Sequence, residues 1–144
     1  MKLFEIVIIF IFFTTQSLAA DLKSLKYFKK SIIEIQARFS YEETITKKTG
    51  AQVVTHDQIN KILSYTKNSL FYSNKVLDKD LDQLDPAIFY KNLADKYENL
   101  FRNGLRLSIA SMENNDIKKG LKSQKLLNEW GEYYRKTRVK IFKK

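Results

Sequence analysis

An all-α fold is what this 144-residue chain predicts, as a small antiparallel four-helix bundle behind a cleavable signal peptide. Three observations predict it. Apolar residues recur at steps of three and four along four long segments, the period of a helix buried on one face. Only four glycines and one proline punctuate the sequence, too few for a many-turned β fold. The stretches left between the periodic segments are short, as antiparallel bundles require.

The N-terminus carries the targeting signal. Ile6 to Phe13 form an uncharged apolar run. Polar Thr14, Thr15 and Gln16 follow, and Ser17-Leu18-Ala19 then has the small-x-small pattern of a processing site. The run is far shorter than the roughly 20 apolar residues a spanning helix needs. Cleavage is expected after Ala19, giving a signal peptide over residues 1–19 and a helical domain over residues 20–144. No cysteine stands near the site to carry a lipid. The expected destination is the periplasm or the exterior.

The first helix is expected from Asp21 to Thr49, with Leu22, Leu25, Phe28, Ile32, Ile35 and Phe39 on one face and Gly50 as its stop. Thr55 and Gln58 form an S/T-x-x-Q capping box that opens a second helix. Its apolar side is read as Ile59, Leu63, Thr66, Leu70 and Leu77. The acidic stretch Asp78 to Asp85 should end or bend it as a solvated linker. Asp85-Pro86 pairs an acidic N-cap with proline at the first helical position of a third helix. There Tyr90, Leu93, Tyr97, Leu100, Gly104 and Leu107 form the seam, with Leu93 and Leu100 in the core. Asn114, Asn115 and Asp116 make the last connection, and a fourth helix runs from Ile117 to about Phe142.

Several chemistries are excluded by inventory. The absence of cysteine removes thiol nucleophiles and Fe–S clusters, and leaves an exported domain to be stabilised by burial alone. One histidine, His56, cannot supply the two Glu-x-x-His motifs of a di-metal bundle, and as a first-turn residue it reads as a solvated side chain. Asp78-x-Asp80-x-Asp82 opens like a calcium loop. Gln83 then replaces the required glycine, and Phe89 stands where the twelfth-position glutamate belongs. Glu42 and Glu43 are adjacent, so they diverge around the helix and form no acid/base pair. The chain is therefore expected to be no enzyme and to need no cofactor.

Charge is where the sequence speaks about partners. The chain carries +10 overall. Residues 117–144 hold ten basic and two acidic groups, net +8, nearly the whole excess. At about 100° per residue, Leu126, Leu127, Trp130, Tyr133, Tyr134 and Ile141 share one sector of the fourth helix. Lys118, Lys122, Lys125, Lys136, Lys140 and Lys143 occupy the neighbouring sector, interrupted by Glu129 and Glu132. A lysine stripe beside a committed apolar face fits an anion-facing surface. Tyr65 and Tyr72 on the second helix are candidate contact residues, because they and Phe71 are hard to bury together when consecutive residues diverge by about 100° around a helix.

The functional expectation is an exported, non-catalytic binding protein of inhibitor, immunity or host-contact type, docking an acidic protein partner on this basic helix. An anionic lipid or envelope polymer is the alternative ligand. Nucleic acid fits poorly, since export removes most such targets and arginine is scarce.

Overall fold

The computed structural model describes residues 22–50, 54–82 and 92–141, and among these it is all-α, with no strand. The helices are α1 (Leu22–Thr49), α2 (His56–Ser73), the short α3 (Asp78–Asp82), α4 (Leu93–Lys96), α5 (Asn103–Asn114) and α6 (Ile117–Ile141). A π-helical segment, Tyr97–Arg102, joins α4 to α5 without a break in right-handed backbone. The processing site, the Asp85-Pro86 start signal and Tyr90 lie outside the described residues.

Local signals set most of the boundaries. The α1 stop is Gly50 at φ 65°, a conformation in which a Cβ would be strained, and its N–H donates back to the Thr46 carbonyl. The capping box forms as read: the Gln58 N–H donates to Thr55 Oγ1 at 3.3 Å, and the Thr55 N–H donates to Gln58 Oε1 at 2.8 Å. Asn115, at φ 52°, closes α5. Asp116 then opens α6 by accepting the Lys119 N–H at 3.1 Å.

Cross-helix contacts give the directions of packing. Between α1 and α2, Tyr27 meets Tyr72, Ser31 meets Ser69 and Arg38 meets Thr66, and Ser24 accepts the N–H of Leu77 just past α2, so these helices run antiparallel. Between α5 and α6, Ser111 bonds Asp116 and Ser123 donates to the Gly104 carbonyl at 2.7 Å, again antiparallel. The core lies between the two pairs and comprises Leu25, Phe28, Ile32 and Ile35 of α1 with Leu93, Tyr97, Phe101, Leu105, Leu127 and Trp130.

Two seams differ from the sequence reading. On α2 the fully buried positions are Ile62, the expected Thr66, Ser69 and Ser73; Leu70 is half-buried and packs against the core as expected, while Ile59 and Leu63 are only half-buried. Hydroxyls tolerate this because each is satisfied: Ser69 donates to the Ser31 carbonyl and Thr66 to the Ile62 carbonyl, both at 2.8 Å. Leu77 lies beyond the end of α2 and is exposed. In the third segment the seam passes through Tyr97, Phe101 and Leu105, all fully buried, while Leu100 is only half-buried at its edge. The π segment is the cause. The Asn103 N–H reaches the Glu98 carbonyl five residues back, and this wider turn carries the seam from Tyr97 to Phe101 rather than to Leu100.

The acidic stretch also departs from a solvated linker. Asp78–Asp82 is helical, Leu81 and Asp80 are buried, and Asp78 is committed to Arg102.

Candidate functional site

The face of α6 opposite its core residues is the site the sequence marks, and the packing explains why it is free. Leu127 and Trp130 are buried and Leu126, Tyr133 and Tyr134 half-buried, which fixes the rotation of the helix. Trp130 is held by four rings: Phe101 at 5.2 Å, Tyr97 at 5.5 Å, Tyr133 at 5.7 Å and Tyr134 at 5.8 Å between centroids. With that side engaged, Lys118, Lys122, Lys125 and Lys136 all point to solvent, as do Glu129 and Glu132. None of the four lysines makes an ion pair with a described residue. The Lys140 side chain and Lys143 lie outside the described residues.

Two apolar residues share this face. Ile117 is 75% exposed and Leu121 is 64% exposed, one turn apart and interleaved with Lys118 and Lys122. Helical period sets both off the Leu127–Trp130 sector, but whether a neighbouring helix covers them is a tertiary matter that period does not carry.

Beside this face opens a cleft of about 680 Å³. Gly120, Gln124 and Asn128 of α6 form one wall; Arg38, Phe39 and Glu42 of α1 form the other. Val54 at the mouth and Phe39 on the α1 wall are exposed. Arg38 lies on the lining, its Nε donating to Glu42 Oε1 at 2.9 Å. Its Nη1 donates to Ser108 Oγ at 2.8 Å and to Thr66 Oγ1 at 3.2 Å. One guanidinium thus ties α1 to both α2 and α5. The sequence reading passed over Arg38; the available signal was its type, since arginine is the cation suited to buried multidentate bonding and this chain uses few.

Tyr65 and Tyr72 are both half-buried rather than exposed. Tyr65 packs on Tyr41 at 6.2 Å between centroids, and the Lys61 ammonium lies over the Tyr41 ring. Tyr72 stacks on Tyr27 at 6.3 Å and meets Phe71 edge-on at 5.4 Å. The exposed ring of that group is Phe71. Tyr72 and Tyr65 belong to separate clusters, and neither adjoins the α6 lysines through any described contact.

The buried polar chemistry elsewhere is structural. Ser31 Oγ and Tyr97 Oη are 2.7 Å apart, and burial pushes the Tyr97 phenol well above its ordinary value despite the Ser31 hydrogen bond and nearby Arg102. Among the described residues, no cluster of three or more His, Cys, Asp or Glu side chains is placed to hold a metal ion. His56 is exposed in the first turn of α2. No described helix is long and apolar enough to cross a membrane. No protein-family model, no curated protein and no solved structure matches this chain.

Proposed function

We propose that this chain is an exported, non-catalytic docking protein that engages an acidic protein partner through the outward face of α6. In this reading cleavage after Ala19 releases a four-helix antiparallel bundle over residues 20–144. Lys118, Lys122 and Lys125 attract and orient the partner; Ile117 and Leu121 supply apolar contact. Lys136, Lys140 and Lys143 extend the field toward the C-terminus.

One observation carries the reading: an exposed apolar pair set among lysines, Lys118 and Lys122, that make no ion pair with a described residue. A face evolved only for solubility has no need of Ile117 and Leu121. Interfaces combine an apolar centre with charges that steer association and fix register. The neighbouring cleft gives a partner side chain somewhere to insert.

The test is parallel affinity capture with the wild-type chain and the Lys118→Gln/Lys122→Gln/Lys125→Gln variant, at low and physiological salt. A specific protein held by the wild type should associate more slowly with the variant and with a flatter salt dependence. Equal capture by both at both salt concentrations would overturn the reading. Intact mass of the exported form checks processing: a chain beginning at Ala20 is expected, and retention of Met1 counts against export.

A further inference from the structure

A second surface, at the other end of the molecule, has a different character. Lys23, Tyr27 and Lys30 fall at steps of four and three, so they share one face in the first turns of α1. Against that face packs the end of α2 and the turn beyond it. Tyr27 stacks on Tyr72, which meets Phe71 edge-on. The Lys75 ammonium sits 4.0 Å from the Phe71 centroid and 5.1 Å from that of Tyr27, while Lys30 lies 5.0 Å from that of Tyr72. A shallow depression lined by Lys23, Ser24, Tyr27, Lys75 and Leu77 continues the patch. Phe71 is 55% exposed and Leu77 48% exposed. Among the described residues, the depression and the ring contacts of Lys30 and Lys75 include no carboxylate; the adjacent Asp78 bonds Arg102.

We propose that this aromatic and lysine patch docks the protein on an anionic lipid bilayer. Two features favour a bilayer over a protein partner. The first is composition: Tyr and Phe with lysine stems beside them are the side chains that settle at a headgroup boundary, rings toward the acyl region and ammonium groups toward phosphate. The second is that the lysines flank the exposed apolar groups, so that Phe71 and Leu77 enter the boundary as Lys23, Lys30 and Lys75 meet headgroups.

The arrangement also separates the two surfaces. Tyr27 and Glu42 are fifteen positions apart on α1, about 22 Å along the helix axis. The cleft and the Lys118–Lys125 face therefore lie at the end remote from the lipid, free for a partner.

The experiment is co-sedimentation of the full chain with phosphatidylcholine vesicles and with mixed phosphatidylcholine–phosphatidylglycerol vesicles, at low and physiological salt. The apolar run Ile6 to Phe13 is common to every variant, so the readout is the difference between vesicle types. The wild type should prefer the anionic vesicles, and salt should weaken that preference. Lys23→Gln/Lys30→Gln/Lys75→Gln should lose about tenfold or more of the preference, given the worth of each lysine near an anionic surface. Phe71→Ser/Leu77→Ser should weaken binding to the anionic vesicles several-fold while leaving its salt dependence in place. The Lys118→Gln/Lys122→Gln/Lys125→Gln variant should bind vesicles as the wild type does, whatever becomes of its protein partner. Wild-type-like preference in the patch-lysine variant, or loss of it in the α6 variant instead, would overturn the proposal.

Discussion

The Arg102 guanidinium reaches back to the turn after α2: its Nη1 lies 2.8 Å from Asp78 Oδ1. Its Nη2 donates to the Ser73 carbonyl at 2.8 Å and to the Val76 carbonyl at 2.6 Å. The π segment makes this possible. Phe101 and Arg102 are consecutive and both buried, one facing Trp130 and the other facing the end of α2.

The two ends of that ion pair should behave differently on mutation. Arg102→Met leaves the buried Val76 carbonyl without its donor, worth about 1–3 kcal/mol, and strips the Ser73 carbonyl of its charged donor while the Val76 N–H still reaches it at 3.1 Å. A urea melt should show a loss of about 2–4 kcal/mol. Asp78→Asn should cost under about 1 kcal/mol, because the Asp78 side chain is 57% exposed and recovers water. Comparable losses for both would show that the carboxylate, not the carbonyls, is what Arg102 serves.

Glu98 contributes to the dependence of the fold on acid. Burial alone raises its pKa, but hydrogen bonds from Arg106 at 2.6 Å and Arg102 at 3.0 Å outweigh that and hold the carboxyl below its ordinary value of 4.5. A depressed folded pKa means that the stabilising contribution is complete above that ordinary value and is lost as pH falls through the folded one. Partial exposure and solvent screening limit it to about 0.5–1 kcal/mol. Melting temperature should therefore fall more steeply below about pH 4.5 in the wild type than in Glu98→Gln. Parallel acid profiles would remove Glu98 from this role.

What could be read in the sequence was local. The capping box at Thr55 and Gln58, the stop at Gly50, the connection at Asn115 and the core face around Trp130 each depend on residues within a turn or two. So does the lysine face of α6, since helical period alone places Lys118, Lys122, Lys125 and Lys136 on one side. The misread features depend on partners far along the chain. Arg38 bonds Ser108, seventy positions away, and Ser31 meets Tyr97, sixty-six away. Hydroxyl residues in a helix read as solvent-facing until another helix supplies their acceptor. The π segment has no local signature either: the bonds Arg102 makes to the turn after α2 are all long-range.

That shift of seam can be measured. Phe101→Ala should cost about 3–5 kcal/mol, the range for a fully buried aromatic. Leu100→Ala should cost about 1–2 kcal/mol, below the usual range for a fully enclosed leucine, because its side chain is half-buried at the edge of the core. A larger loss at Leu100 than at Phe101 would restore the uninterrupted α-helical seam.

Two glycines of the α5–α6 pair should respond in opposite directions to the same change. Alanine has a higher helix propensity than glycine by about 1 kcal/mol, so both substitutions begin with an equal advantage. At Gly131 nothing lies within 4 Å of an added Cβ. Gly131→Ala should accordingly stabilise the protein by about 0.5–1 kcal/mol. At Gly104 an added Cβ would lie 2.9 Å from both Cγ and Cδ2 of Leu127, well inside carbon–carbon contact distance. Leu127 is buried, so relief requires α6 to move outward, and that stretches the 2.7 Å bond from Ser123 to the Gly104 carbonyl. Overpacking of this kind costs about 1–3 kcal/mol, enough to reverse the propensity gain. Gly104→Ala should be neutral to destabilising by about 2 kcal/mol. Denaturant midpoints of the two single variants, compared at equal slope, decide it. An increase at both positions would mean that α5 and α6 cross with more room than Leu127 and Ser123 imply.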